Sequence, residues 1–354
     1  RQRLDRQLEQ GKRLASAIDD LAASFQRQRP LNMTEKDEQL FERLVKRTRA
    51  LATDVRTVFA VDKPDERVYY AEMVRAGRRD TPQYSVSAAP LSVTSLLREK
   101  LFDRMRAIAT SATLAVDGDF SFFRARAGLE APSLALPYAF DYASHALLYL
   151  PRLRQDPAFG AAAGPYLDEI AEQMRTLVGA SRGRAFLLFS SQRALEGVYG
   201  RIGLDLEAEG YATLVQGRDF GRQELLRQFR ERERAVLFGL KSFWEGVDVA
   251  GEALSLVAID KVPFDPPDDP VQEARVSRMK AAGENWFGGY VLPNAILRLK
   301  QGVGRLIRTR DDRGVMAILD RRVYTKTYGR EIMLALPPAR RTERIEDVRA
   351  FFAA

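Results

Sequence analysis

The sequence predicts an α/β protein built on a parallel sheet, with helical segments ahead of it, and three observations carry that prediction. From about residue 137, short apolar runs alternate with longer amphipathic stretches. That is the pattern of strand–helix–strand units whose right-handed crossovers give a parallel sheet covered on both faces. The runs Ala185 to Phe189, Ala235 to Gly239, Leu254 to Ile259 and Gly314 to Leu319 hold almost no polar residue, as expected of strands buried on both sides. Residues 1 to about 60 show no such alternation, and their apolar residues recur at helical spacing instead.

Taken in order, Leu4, Leu8, Leu14, Ile18, Leu21 and Phe25 trace a first helix, which Gln28-Arg29-Pro30-Leu31-Asn32 breaks. Thr34 followed by Asp37 opens a second helix in the manner of a capping box. Leu40, Phe41, Leu44, Val45, Leu51, Val55 and Val58 continue its apolar stripe, so a helical hairpin packed on the core is expected. Arg67 to Met73 and Gln83 to Ala88 read as strands joined by a turn at Ala76-Gly77-Arg78-Arg79-Asp80. Pro90 to Phe102 reads as a helix with Ser92 or Thr94 near its start, and Met105 to Ala109 as a short apolar strand. Leu167, Ile170, Met174 and Leu177 place a helix over Ala161 to Val178. After the strand at 185–189 come a helix from about Gln192, a strand from Tyr211 to Val215 and a charged amphipathic helix from Arg222 to Arg232. Helices are expected over Pro270 to Ala281 and Pro293 to Arg308, and Pro263 to Pro270 is a proline-rich, stiff loop.

Composition narrows the partners. A chain of 354 residues allows two or three domains with a sizeable core. Its formal charge of +8 suits a polyanionic partner. No run of eighteen apolar residues exists, so no membrane span is expected. There is no cysteine, which excludes disulfides and thiolate metal sites within this segment. A cytoplasmic location is expected.

The most informative stretch is Gln301-Gly302-Val303-Gly304-Arg305-Leu306-Ile307-Arg308. On a continuous helix, Gln301, Arg305 and Arg308 are spaced i, i+4, i+7 and share one stripe. Two glycines sit between them, each costing about 1 kcal/mol against alanine inside a helix. Such a cost is kept where backbone must come close to something, a partner domain or a nucleotide. Two arginines on one stripe can hold phosphate charge bidentately, or they can be a solvated basic helix face. Upstream, Glu245 and Asp248 stand in a loop with Gly246 and Gly251, carboxylates of the kind that metal binding or acid/base chemistry needs. Trp244 beside them is open to reading as core or as a stacking surface. Ser190 and Ser191 follow one strand and precede a helix, which fits a phosphate-backbone contact or a plain helix cap.

In chain order these stretches resemble the late motifs of the DinG-like branch of superfamily 2 helicases, relatives of the xeroderma pigmentosum group D helicase. Ala109-Thr110-Ser111-Ala112-Thr113-Leu114 is similar to motif three and Phe186-Leu187-Leu188-Phe189-Ser190-Ser191 to motif four. Ser242-Phe243-Trp244-Glu245-Gly246-Val247-Asp248 resembles motif five, and Gln301-x-x-Gly304-Arg305-x-x-Arg308 motif six. The match spans roughly residues 67 to 330. It implies a RecA-like second motor domain over 131–354, preceded by part of a helical arch domain (1–64) and the last segment of the first motor domain (65–130).

The resemblance also implies roles. Arg305 and Arg308 would be arginine fingers on the γ-phosphate of ATP, with Gln301 hydrogen-bonding near it. Glu245, Gly246, Asp248 and Gly304 would lie toward the nucleotide, and Ser190, Ser191, Thr110 and Ser111 toward single-stranded DNA. No resident metal site is expected in this chain. ATP and Mg2+ would be shared with an N-terminal motor domain, since no Gly-x-x-x-x-Gly-Lys-Ser/Thr loop is present and the sole histidine, His145, precludes a usable Asp-Glu-Ala-His box. An iron–sulfur cluster would belong to that other half. The chain is therefore expected to be the C-terminal half of an ATP-dependent 5′–3′ DNA helicase acting on single-stranded and forked DNA. The alternatives are a non-catalytic nucleic-acid- or partner-binding module with the same fold, and a nuclease-fused relative.

Overall fold

The structure is a computed structural model that describes residues 2–6, 8–74, 83–158, 160–218, 220–244, 254–266 and 268–354. The chain groups into two compact units. One takes Arg1–Arg106, Arg126–Leu129 and Asp265–Trp286; the other takes Ala107–Ala125, Glu130–Phe264 and Phe287–Ala354.

The first unit is a helical hairpin with a small antiparallel sheet. Helices α1 (Glu9–Arg27) and α2 (Glu35–Ala60) pack along their length. Thr34 caps α2 as its sequence predicts, its hydroxyl oxygen accepting from the Asp37 amide at 3.3 Å. Of the expected apolar stripes only Val45 is buried, and the other stripe residues stay partly or largely exposed. The buried positions are Gly11, Ala15 and Ala22 on α1 and Val45 and Ala52 on α2. Gly11 is needed for that approach, because a Cβ there would lie 2.1 Å from Phe59 Cβ. Strands β1 (Gln2–Arg3), β2 (Arg67–Val74) and β3 (Gln83–Pro90) form the sheet. The turn expected at 76–80 lies outside the described residues. The helix expected over 90–102 begins later, as α3 (Thr94–Leu97) running into a π-turn at Arg98–Phe102. Helix α10 (Pro270–Ala281) belongs to this unit. Asp269 caps it, accepting from the amides of Val271 and Gln272, and Arg275 Nε donates to the Leu91 carbonyl at 2.8 Å.

The second unit is the sheet the sequence predicts. Its described strands are β4 (Ala146–Tyr149), β5 (Ala185–Leu188), β6 (Ala212–Val215), β7 (Ala235–Gly239), β8 (Leu256–Ile259), β9 (Gly314–Ile318) and β10 (Arg340–Thr342). Their order is β10-β4-β9-β8-β5-β7-β6, and each pairing is parallel. Helices α6 (Gly164–Ser181), α7 (Gln192–Ala208) and α14 (Ile345–Ala353) cover one face, burying Leu147, Leu187, Leu256 and Val315. Helices α8 (Arg222–Glu231), α9 (Lys241–Trp244), α11 (Leu292–Val303) and α13 (Gly329–Ala335) cover the other, burying Leu148, Phe186, Val257 and Met316. Alternate residues of one apolar run thus feed two cores. Short helices α4 (Ser121–Ala127), α5 (Tyr142–His145) and α12 (Arg322–Thr325) complete the set.

Two further expectations need correction. Met105 to Ala109 is not a strand, and Ile108 there is 97% exposed. A strand needs a neighbour to satisfy its backbone, and no described strand lies beside it. The helix expected to run to Arg308 ends at Val303. Strands β4 and β10 had no separate sequence signal, one being merged in a longer apolar stretch and the other being Arg340-Arg341-Thr342.

Candidate nucleotide and nucleic-acid site

The carboxyl ends of the parallel strands carry a row of polar residues laced to one another. Ser190 follows β5, and Asp260 follows β8 next to it. The Ser190 amide donates to Asp260 Oδ1 at 3.0 Å and its hydroxyl to Oδ2 at 2.9 Å. The Lys261 amide also donates to Oδ1, at 2.8 Å. Asp320, after β9, accepts from the Val262 amide at 2.8 Å and holds Arg322 in a two-pronged ion pair. After β6 and β7, Gln216 accepts from the Leu240 amide at 2.7 Å and donates to Ser242 Oγ at 2.8 Å. Tyr166, reaching up from α6, donates to the Asp260 carbonyl at 2.5 Å. Burial pushes the Asp260 carboxyl up to about 6, against the favourable charge of Lys261 and the Ser190 hydrogen bonds.

Both hydrogen-bond donors of Ser190 are therefore given to Asp260. Ser191 is the N-cap of α7, its oxygen accepting from the Ala194 amide at 3.3 Å, and that leaves its hydroxyl hydrogen to donate. Thr110 and Ser111 lie in an exposed loop, where Ser111 pairs with Thr113 at 3.2 Å. Glu245, Gly246 and Asp248 lie outside the described residues.

The motif-six residues come together differently from a helical stripe. Gln301 is still in α11, half-buried, but Gly304 closes the helix. Arg305 and Leu306 donate their amides to the carbonyls three residues back, at 3.4 and 3.2 Å, which tightens the chain into a turn. Asp312 then takes over as acceptor, holding the amides of Arg308 and Thr309 at 2.8 Å each. The two glycines weaken the helix, and this carboxylate rewards leaving it. A Cβ on Gly304 would sit 2.8 Å from the Lys300 carbonyl. Arg305 Nε donates to the Trp244 carbonyl at 3.1 Å, and Arg308 Nε to the Arg305 carbonyl at 3.3 Å. Burial and the neighbouring Arg230 charge lower the Arg308 pKa, while Asp312 opposes them. Trp244 is a core residue, 2% exposed. Lys300 reaches from α11 to the Ala115 carbonyl at 3.1 Å.

The sequence did not single out Asp260, Lys261, Asp312 or Gln216; Gly314 to Arg322 counts toward the order of the motifs, but no role for Asp320 or Arg322 was read from it. Their signal was available for Asp260 and Asp320, each a carboxylate placed directly after a buried strand. Among the described residues, no group of three or more histidine, aspartate or glutamate side chains is arranged to hold a metal. Asp260 and Asp320 already serve protein donors. With no cysteine, the chain has no thiolates for an iron–sulfur cluster.

Residues 174–339 match the helicase C-terminal domain family. The chain is 40% identical over 278 residues to the ATP-dependent DNA helicase YoaA of Escherichia coli K12, covering 76% of this chain and 42% of that protein. It is 39% identical over 269 residues to the ATP-dependent helicase DinG of Mycobacterium tuberculosis H37Rv, covering 74% and 39%. The 3′-5′ exonuclease DinG of Bacillus subtilis is 31% identical over 278 residues, covering 77% and 30%. The chain therefore spans about two fifths of the length of the first two of these relatives. In fold it is similar to a solved XPD helicase, with a TM-score of 0.58 at 13% identity over 96% of this chain and 63% of that one.

Proposed function

We propose, from the premise that this chain carries a helicase C-terminal domain related to the DinG-like helicases, that it is the C-terminal part of an ATP-dependent DNA helicase, with residues 131–354 as its second motor domain. In this reading Arg305 and Arg308 stabilise the charge that spreads over the γ-phosphate during hydrolysis. Gln301 adds a neutral hydrogen bond nearby. The phosphate-cradling loop and the Mg2+ ligands come from a first motor domain, so this chain does not hydrolyse ATP by itself. Closure of one domain on the other would bring arginines and phosphate together and turn hydrolysis into movement along the strand.

The single observation that carries the reading is the held turn of motif six. Both arginines leave the helix within one turn, and a backbone carbonyl or a carboxylate fixes each of its segments. A solvated helix face has no use for such fixing. The strand-end row offers the DNA side of the reading. Asp260 sets the Ser190 backbone, and Ser191 and the start of α7 present a hydroxyl and a helix dipole to a phosphate. In this reading Thr110 and Ser111 extend the track and Gly304 is on the nucleotide side; the same role is assigned to Glu245, Gly246 and Asp248, which lie outside the described residues. Single-stranded and forked DNA, 5′–3′ movement and a cytoplasmic location complete the proposal. Among the described residues no helix is long and apolar enough to cross a membrane.

DNA-stimulated ATP turnover of the full-length protein tests it. Arg305→Lys and Arg308→Lys keep charge but lose the planar fork, so turnover should fall by about two or more powers of ten while DNA binding stays near wild type. Gln301→Ala should cost less, since a neutral hydrogen bond is weaker than a charge-assisted one. Wild-type turnover in both lysine variants would sink the reading and favour a non-catalytic binding module.

A further inference from the structure

We infer that Trp244 is a positioning residue for Arg305, and that glycine stands at 302 to let the indole take that position. The inference deepens the proposed function and rests on Arg305 acting at the γ-phosphate.

Trp244 closes α9 and is almost wholly buried. Its carbonyl is the acceptor of Arg305 Nε. Its six-membered ring lies directly on α11. A Cβ on Gly302 would be 3.3 Å from Trp244 Cε3 and 3.7 Å from Cζ3, with Ile259 Cδ1 also at 3.3 Å. Gly302 has no positive φ, so its backbone conformation is one that alanine adopts. The residue therefore answers to space and not to a turn. The indole Nε1 has no hydrogen-bond partner among the described residues. Packing against Gly302 and the core is thus what locates the ring. The path runs from Gly302 to the ring, from the ring to the Trp244 backbone, and from its carbonyl to a guanidinium three residues beyond Gly302. A guanidinium held at Nε has fewer rotamers open to it, and stabilisation of developing charge depends on groups fixed before the reaction.

The test again uses DNA-stimulated ATP turnover of the full-length protein, with melting temperature measured alongside. Gly302→Ala must push the ring by a few tenths of an ångström. kcat should fall about tenfold, with KM for ATP within about twofold of wild type. Melting should hold, because alanine is the better helix former. Adding Trp244→Phe removes the ring atoms nearest the new methyl at no hydrogen-bond cost. The double variant should recover to within about threefold of Trp244→Phe alone. Wild-type kcat in Gly302→Ala, or a double variant no faster than Gly302→Ala, would overturn the inference. If Gly302→Ala does not fold, Trp244→Leu keeps the carbonyl and loses the ring, and wild-type kcat there would overturn it equally. Arg305→Lys run in parallel separates the two levels. Normal turnover in that variant removes the premise, whereas a slow Arg305→Lys beside a normal Gly302→Ala removes only the positioning role.

Discussion

Helices α1 and α2 and strands β5, β7, β8 and β9 are all strongly patterned in the sequence, yet they spend their apolar residues differently. In the sheet unit each of these four strands is buried on both sides, and neighbouring residues such as Phe186 and Leu187 serve separate cores. In the hairpin, Leu14, Leu21, Leu40, Leu44 and Leu51 are each about half exposed, while the buried residues are Gly11, Ala15, Ala22, Ala52 and, alone of the stripes, Val45. Periodicity says which residues share a face. It does not say which face finds a partner, because close helix approach is bought by small residues as readily as by large ones. Both units carry exposed ion pairs, and the sheet unit adds a largely buried one, Arg322 with Asp320. The hairpin carries exposed pairs, Arg56 with Asp19 and Arg29 with Glu38, which contribute little. The sheet unit buries carboxylates at its strand ends.

The largest effect that would break this comparison belongs to the sheet core. Phe186 is fully buried and packs its ring 4.6 Å from that of Phe229. Phe186→Ala should destabilise the sheet unit by about 3–5 kcal/mol through lost transfer energy and a cavity. Hydrogen exchange of β5, β7 and β8 in this chain would report it. A loss below about 1 kcal/mol would mean the core repacks freely and is not the rigid layer described.

Next in size is the buried carboxylate. The folded Asp260 carboxyl sits at about 6 against an ordinary value of 3.8. Between those values the folded state keeps a proton that the unfolded chain has lost. Stability contributed at this site therefore falls as pH rises from about 4 to about 6, by about 3 kcal/mol in order of magnitude. Asp260→Asn retains an oxygen for the amides of Ser190 and Lys261 and a donor for the Ser190 hydroxyl, which can reverse. The difference in stability between variant and wild type should grow in the variant's favour across that window. A difference that stays flat from pH 4 to 7 would show that Asp260 does not titrate there.

The parallel sheet and its central strands were legible because burial on both faces leaves an unbroken apolar run, as at Ala235 to Gly239, whereas the order in which the strands pair was not. Thr34 was legible as a cap because its partner lies three residues on. The turn holding Arg305 and Arg308 was not. Its acceptors, the Trp244 carbonyl and the Asp312 carboxylate, are backbone or a residue outside the motif, and local spacing favoured a continuing helix. Asp260 was passed over because an aspartate after a strand looks like a solvated loop residue until Ser190, seventy positions earlier, is seen beside it. The Met105 to Ala109 run shows the reverse error, apolar residues without any neighbouring strand to make them one.

The smallest expected effect tests the hairpin half of the comparison. Leu14 and Leu44 are 49% and 48% exposed in spite of their place in a regular apolar stripe. If exposure and not pattern decides, then Leu14→Gln and Leu44→Gln in this chain should each change stability by no more than about 0.5 kcal/mol, as substitutions on a solvated surface do. Glutamine is as good a helix former as leucine to within a few tenths of a kcal/mol, so propensity does not confound the measurement. Gly11→Ala on the same helix serves as the contrast, because its methyl would meet Phe59 and should cost about 1–3 kcal/mol. Helical unfolding followed by circular dichroism reads all three. Should the two glutamine variants prove as damaging as Gly11→Ala, the leucine stripe would be a covered surface in this chain, and the hairpin would bury its large residues as the sheet does.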